Sequence, residues 1–226
     1  MRRYREKSQE VMAIFGEFSP DVQQMSIDEA FIDLTGTQRL FGPLEETAQL
    51  VKKRVRKATG LTVSVGLASN RYVAKIASGM SKPDGFFYVP VGQEQAFMEK
   101  LPLKKVWGVG EKTLAKLYSH GIHSVQDVLK TPLPVLESFL GEASGQFLYK
   151  AVRGMEAATF RDAPQSRSIS AENTYEENLT DRYTIGTALM DLSQNVMFRL
   201  MKEDWKSKTV CIKIRYYDFT TTTIQE

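Results

Sequence analysis

"QQMSIDEAFIDLTG", residues 23–36, sets two carboxylates, Asp28 and Glu29, side by side in a run that otherwise has the apolar alternation of a buried strand. Neighbouring side chains on a strand point to opposite faces, so one of two adjacent acids on a strand would have to enter the core. A hairpin removes the conflict: "VQQM", a turn around Ser26–Asp28, then "EAFIDLT" as the outgoing strand. Asp28 then lies in the turn, Glu29, Phe31 and Asp33 share one face, and Ala30, Ile32 and Leu34 share the other. Two carboxylates that converge at a turn repel each other unless a cation intervenes. Mg²⁺ is the natural one, because it takes hard oxygen ligands and is commonly held by one or two carboxylates plus substrate phosphates. Two adjacent acids at a hairpin tip read equally well as solvated side chains. Asp33 reads as a surface or hydrogen-bonded acid.

Outward from this hairpin the chain alternates in type. Upstream, Tyr4, Val11, Ile14, Phe15 and Phe18 recur at helical spacing, and "SPD" at Ser19–Asp21 stops that helix. Downstream, Gly42–Pro43 opens a helix from Leu44 to Ala58 that Gly60 ends, as expected for Pro at a first turn and Gly past a last one. A β-rich "LTVSVGLA", a helix from Arg71 to Met80, the turn signal "KPDG" and a short strand "FFYVP" follow. This order predicts an α+β fold whose sheet has helices on one face.

The character changes at Pro102. From there to Ala163 only helical segments appear ("GEKTLAKLYSHG", "SVQDVLKT", "LPVLESFLG", "SGQFLYKAVRG"), separated by Gly and Pro. "RDAPQSRS" has the composition of a linker. Beyond it come an extended run, Ile169–Tyr175, a helix from Ile185 to Met201 and a strand, "TVCIKIRYYDF". The expected domains are therefore 1–101, 102–163 and 164–226. The last is a small β-α-β unit with few ways to cover both faces of its sheet, and the chain stops inside a β-like run.

The 226 residues carry a formal net charge of +3, a mild basic lean compatible with nucleic acid without specifying it. One cysteine, Cys211, excludes an internal disulfide and points to a reducing, cytoplasmic setting. "MRRYREKSQEV" lacks the apolar segment of a secretory signal, and no run approaches the roughly 18 apolar residues of a membrane span.

Two further stretches suit phosphate. In "VWGVGEKTLAKL", Gly108 and Gly110 bracket Val109 just before a helix, so backbone N–H groups stand free at a helix N-terminus and Lys112 adds charge. "GIHSVQDV" follows at Gly121, giving a helix–hairpin–helix that would grip a nucleic-acid backbone without reading sequence. The plainer reading is that the glycines serve only the turn and the helix cap. In "NRYVAKIASGMSKPDG", Arg71 and Lys75 share a helix face and Lys82 stands in the following turn, a cation row suited to a triphosphate, with a solvated basic face as the plainer reading and the preferred one for Arg71. "KKRVRK", Lys52–Lys57, reads as a solvated helix face. His120 and His123, with no Cys or third His nearby, do not read as a metal site.

Taken in order, "SIDEAFIDLTG", "SVGLASNRYVAKIASGMSKPDGFFYV", "LPLKKVWGVGEKTLAKLYSHGI" and "SRSISAENTYEENL" resemble the Y-family translesion DNA polymerases, in the bacterial DNA polymerase IV branch. The resemblance covers almost the whole chain. It implies a partial polymerase palm, an all-helical thumb and a partial little finger. It also implies that Asp28 bridges two Mg²⁺ ions, that Glu29 ligates the one activating the primer 3′-hydroxyl, and that Lys82 contacts the incoming deoxynucleoside triphosphate. Gly108, Gly110 and Lys112 would lie along the primer-side backbone of primer-template DNA, with Ser26 and Lys75 in supporting roles. The chain departs from the family's pattern in lacking the first metal-binding strand, the fingers, the steric-gate aromatic, the rest of the little finger and the sliding-clamp tail. The expectation is a fragment that is inactive or nearly so. A non-catalytic helix–hairpin–helix DNA-binding module is the alternative. A nucleotidyl cyclase shares the palm-like core, but the helical block after Pro102 argues against it.

Overall fold

The structure is a computed structural model and describes residues 2–156 and 168–226. Two compact units divide at Ala163/Pro164. The linker read at Arg161–Ser168 lies, apart from Ser168, outside the described residues.

In the first unit, α1 (Arg2–Gly16) leads into a hairpin of β1 (Val22–Gln24) and β2 (Ala30–Ile32). The register pairs Val22 with Ile32 and Gln24 with Ala30, and Met25 and Ser26 N–H both donate to the Glu29 carbonyl, closing the loop that carries Asp28. A short α2 (Gln38–Phe41), absent from the sequence reading, precedes α3 (Leu44–Thr59), which ends at Gly60 in the left-handed conformation. Val11, Ile14, Phe15 and Phe18 of the α1 segment meet Val51 and Val55 of α3, and Ala30, Ile32 and Leu34 cover that cluster. Phe31, pointing the other way, packs on a second cluster. The alternation read around Asp28 is thus realised, with both faces of β2 covered.

β3 (Val65–Leu67) and β4 (Phe86–Tyr88) pair in parallel across α4 (Arg71–Met80), a β-α-β crossover. The two pairs, β1–β2 and β3–β4, form separate ladders among the described residues, where the sequence suggested one sheet. Strands of three residues offer too few hydrogen bonds to extend a ladder, so helix packing supplies the continuity instead. α5 (Glu94–Glu99), also unforeseen, leads to a 3₁₀ turn, Leu103–Lys105, and to α6 (Glu111–Ser119), α7 (Val125–Lys130), α8 (Leu133–Leu140) and α9 (Glu142–Val152). Ser124 caps α7, with its hydroxyl accepting from Asp127 N–H and the Asp127 carboxylate accepting from Ser124 N–H, a reciprocal arrangement typical of helix starts.

The change of character at Pro102 does not separate two cores. One buried cluster runs from Tyr72, Val73 and Ile76 of α4 through Met98 and Val106 to Leu117, Val128, Leu136 and Leu148 of the helical block. Truncating any of these leucines to Ala would cost about 2–5 kcal/mol.

The second unit has no regular element over Ser168–Glu177, then α10 (Arg182–Lys202) and a hairpin of β5 (Cys211–Arg215) and β6 (Thr221–Gln225). The "TTTT" run at Thr220–Thr223 therefore belongs largely to a strand, because Thr is β-branched and suits a pleated surface. Register places Ile212, Ile214 and Ile224 on one face, and Lys213 and Arg215 opposite Thr223 and Thr221 on the other. No residue of α10, β5 or β6 is buried, in keeping with the expectation that this unit covers little of its sheet.

Candidate nucleotide and nucleic-acid site

Helix α4 organises the site. Asn70 caps its N-terminus by accepting from Val73 N–H (3.0 Å), because a short amide side chain offers an acceptor just where helical N–H groups lack one. The other end of the same amide donates to the Gly154 carbonyl (2.8 Å). One turn on, the buried Tyr72 hydroxyl donates to the Trp107 carbonyl (2.7 Å), beside Gly108, and the Tyr72 ring meets Phe147 edge to face. Burial pushes the Tyr72 hydroxyl pKa up, so it remains a donor at any working pH. Lys75 follows on the same helix and forms an ion pair with Glu29. The residue before Tyr72, Arg71, donates to Gln23 of β1 (2.8 Å) and pairs with Glu156 (3.5 Å). Arg71 and Lys75 are thus both turned onto partners within the chain.

Asp28 is exposed at the hairpin tip and accepts from the Ser26 hydroxyl (2.5 Å). Glu29 is half-buried beneath it. Among the described residues no group of three or more His, Cys, Asp and Glu converges on a point. The donor set fits a hydrated Mg²⁺ shared with substrate oxygens rather than an all-protein cage, since that ion is usually held by one or two carboxylates and keeps several waters. Asp33 accepts from Thr35 N–H (2.8 Å), and the Thr35 side-chain and backbone hydrogen bonds hold its carboxyl below the usual carboxylate range. It closes a turn, as a hydrogen-bonded acid should.

α4 ends in the turn 81–85. Lys82 is exposed there and, among the described residues, has no ion-pair partner. Gly108, at φ +91°, reverses the chain into α6, where Gly110 stands at the N-cap with no side chain capping the first turn. The N–H groups of that turn are therefore open to an anion, with exposed Lys112 beside them. Val109 between the glycines is buried and pins the loop.

In the basic run Lys52–Lys57, Lys53, Arg54, Arg56 and Lys57 are exposed, the solvated helix face that the sequence suggests, and Lys52 departs from it. Lys52 and Arg56 both reach Asp84 (2.8 and 3.2 Å), and Arg54 reaches Glu17 (3.1 Å). His120 stacks on Phe139 and His123 on Tyr118, which accounts for both histidines without a metal. Sequence reading missed Tyr72, Trp107 and Lys52. Asn70 alone left a signal, as a capping residue ahead of an apolar helical run.

A single helix thus carries a carboxylate-paired lysine, braces the Gly108–Gly110 turn through Tyr72, and ends in a turn presenting Lys82, which has no ion-pair partner among the described residues. Residues 1–79 match the impB/mucB/samB family, residues 166–226 its C-terminal domain, and residues 104–156 the thumb domain of DNA polymerase-iota. The chain belongs to the impB/mucB/samB family of Y-family DNA polymerases. It is 49% identical over 225 residues to a DNA polymerase IV of Treponema denticola, matching all of this chain and 57% of that protein. With a DNA polymerase IV of Halorhodospira halophila it shares 37% identity, over 98% of this chain and 62% of the other. The chain spans about half to three-fifths of the length of the curated relatives it matches. Among solved structures, a Y-family DNA polymerase chimera aligns over all of this chain and 64% of its own at TM-score 0.73 and 21% identity. DinB from Sulfolobus solfataricus aligns over all of this chain and 65% of its own at TM-score 0.61 and 21% identity. Likeness at these identities establishes the fold.

Among the described residues no helix is long and apolar enough to cross a membrane.

Proposed function

We propose that the chain is part of the palm, the thumb and part of the little finger of a low-fidelity, translesion DNA polymerase that adds deoxynucleotides to a primer on a template. The observation that carries this reading is the series of contacts along α4. Tyr72 and Asn70 tie the helix to the thumb, Lys75 ties it to the acidic loop, and its end presents Lys82.

Phosphoryl transfer asks a protein mainly for positioning and charge neutralisation. Asp28 and Glu29 are the residues that would hold Mg²⁺, which when bound lowers the pKa of an attacking hydroxyl and offsets charge on phosphate oxygens. Ser26 orients the Asp28 carboxylate, since its hydroxyl donates to it. Lys75 aims Glu29 and competes with Mg²⁺ for its carboxylate. Lys82 supplies a point charge for the triphosphate. Gly110 and Lys112, at the open end of α6, take a phosphate of the duplex, and Gly108 makes the turn that presents them. In the second unit, Lys213 is paired with Glu172, and Arg215 beside it offers a further cation for backbone contact. All of these meet charge rather than bases, which suits an enzyme that tolerates damaged templates.

The chain by itself is expected to bind duplex DNA and to extend primers weakly or not at all, because no third acid joins Asp28 and Glu29 among the described residues and two carboxylates give a loose hold on two ions. In the complete polymerase Asp28→Ala should reduce primer extension by at least about a hundredfold, on the scale of losing one electrostatic element of a transition-state site. Extension that persists at the unsubstituted rate would end the metal assignment. Retained DNA binding with no extension by any version of the protein would leave the non-catalytic helix–hairpin–helix module.

A further inference from the structure

We infer that Lys52, on α3, is the positioning residue for Lys82. This rests on the reading of Lys82 as the triphosphate contact. The Lys52 ammonium has three N–H donors, and all three are used: the Val63 carbonyl at 2.6 Å, the Asp84 carboxylate at 2.8 Å and the Gly85 carbonyl at 3.0 Å. Its side chain is only 12% exposed, unlike that of Arg54 two residues on, at 53%. A lysine held by three oxygens cannot act as a solvated charge. It is a clamp from α3 onto the turn that follows α4.

That turn has little freedom. Asp84 sits at φ 46° and accepts from Arg56 as well as Lys52. A Cβ at Gly85 would lie 1.8 Å from the Ser81 carbonyl oxygen, so the chain doubles back tightly there. The Gly85 carbonyl also accepts from Val65 N–H, joining the turn to β3. Lys82 is an exposed cation on the segment that α4 holds at one end and Lys52, through Asp84 and Gly85, holds at the other. Releasing Lys52 would let the 82–85 segment rotate away from α3 and disperse the Lys82 ammonium over several positions. Much of the gain from an aimed charge comes from not having to order it on binding.

The test is equilibrium titration of dATP with Mg²⁺ into the 226-residue chain bound to a primer-template duplex with thymine as the next template base. Lys52→Met keeps the aliphatic stem and removes the donors. It should weaken dATP binding roughly tenfold while duplex affinity without nucleotide stays as before. Lys82→Ala should weaken dATP binding at least as much, and Arg54→Met, on the same helix but paired with Glu17, should leave it unchanged. If Lys82→Ala weakens binding and Lys52→Met does not, Lys52 is structural only and the inference fails while the nucleotide site stands. If Lys82→Ala has no effect, or the unsubstituted chain takes up no dATP, the nucleotide reading itself fails and this inference with it. Should Lys52→Met not fold, Asp84→Asn decides. It loosens the same clamp from the other side and should weaken dATP binding several-fold, and unchanged affinity in that variant would overturn the clamp.

Discussion

Gly108→Ala separates the two meanings of the glycine hairpin. At φ +91° an L-residue is strained, at about 1–2 kcal/mol. The new methyl would also stand 2.5 Å from Cζ and 2.8 Å from Cε1 of Phe147, closer than carbon atoms approach without movement. Phe147 packs against the main core and edge-on to Tyr72, so displacing it is overpacking, at about 1–3 kcal/mol. A combined loss near 3 kcal/mol should lower the melting temperature of the first unit by about 6–12 °C, followed by calorimetry or circular dichroism. Gly110→Ala is the contrast, since nothing lies within 4 Å of its added Cβ and φ is −85°. It should cost less than about 1 kcal/mol, the scale of an N-cap change. Its effect should fall instead on duplex affinity, reduced by a similar factor for all sequences. Adding Phe147→Leu to Gly108→Ala should recover at least about 1 kcal/mol as coupling, because the steric part vanishes and the backbone strain stays. If Gly108→Ala melts with the unsubstituted protein, or the double variant shows no coupling, the described packing of the hairpin on Phe147 is wrong.

Tyr72→Phe removes the bond to the Trp107 carbonyl, so stability should fall by about 1 kcal/mol with duplex affinity falling as the hairpin loosens; unchanged affinity would unlink α4 from the thumb loop. Lys75→Gln breaks the pair with Glu29 and should change stability by no more than about 1 kcal/mol, both side chains being partly exposed, while binding of Mg²⁺, read by titration, tightens because the carboxylate has lost its competing cation; weaker Mg²⁺ binding would show that Lys75 serves the site only as a support. The hydrogen bond and charge of Lys52 hold the Asp84 carboxyl below its usual range. A depressed folded-state pKa contributes stability above the unfolded value and loses it as pH falls through the folded one. Protection of the 82–86 amides, taken relative to the intrinsic exchange rate at each pH, should therefore fall below the ordinary carboxylate range, and Asp84→Asn should abolish that fall; pH-independent protection in the unsubstituted chain would remove the ion pair.

Local chemistry was legible in the sequence. The helix of residues 44–59 could be read from its Pro and Gly ends, the α4 helix from its spacing, and the hairpin from the conflict over Asp28 and Glu29, because periodicity and end residues act within a few positions of themselves. The likeness of the whole to Y-family polymerases was legible too, carried by four blocks in order. The roles of charges were not. Lys52, Arg54 and Arg56 look alike along the chain, yet they end on different oxygens, because α3 lies against the 81–85 turn on one side and against the end of α1 on the other. Arg71 and Lys75 share a face by spacing, and only the placement of β1 and the acidic loop turns them onto Gln23 and Glu29. Nor could the sequence show that the palm and the helical block share one core, since Tyr72 meets Trp107 and Phe147 only when the chain folds back. Sequence determined which elements form. Tertiary structure decided which charges are paired within the protein and which, like that of Lys82, have no ion-pair partner among the described residues, because a partner distant along the chain is chosen by packing and not by spacing.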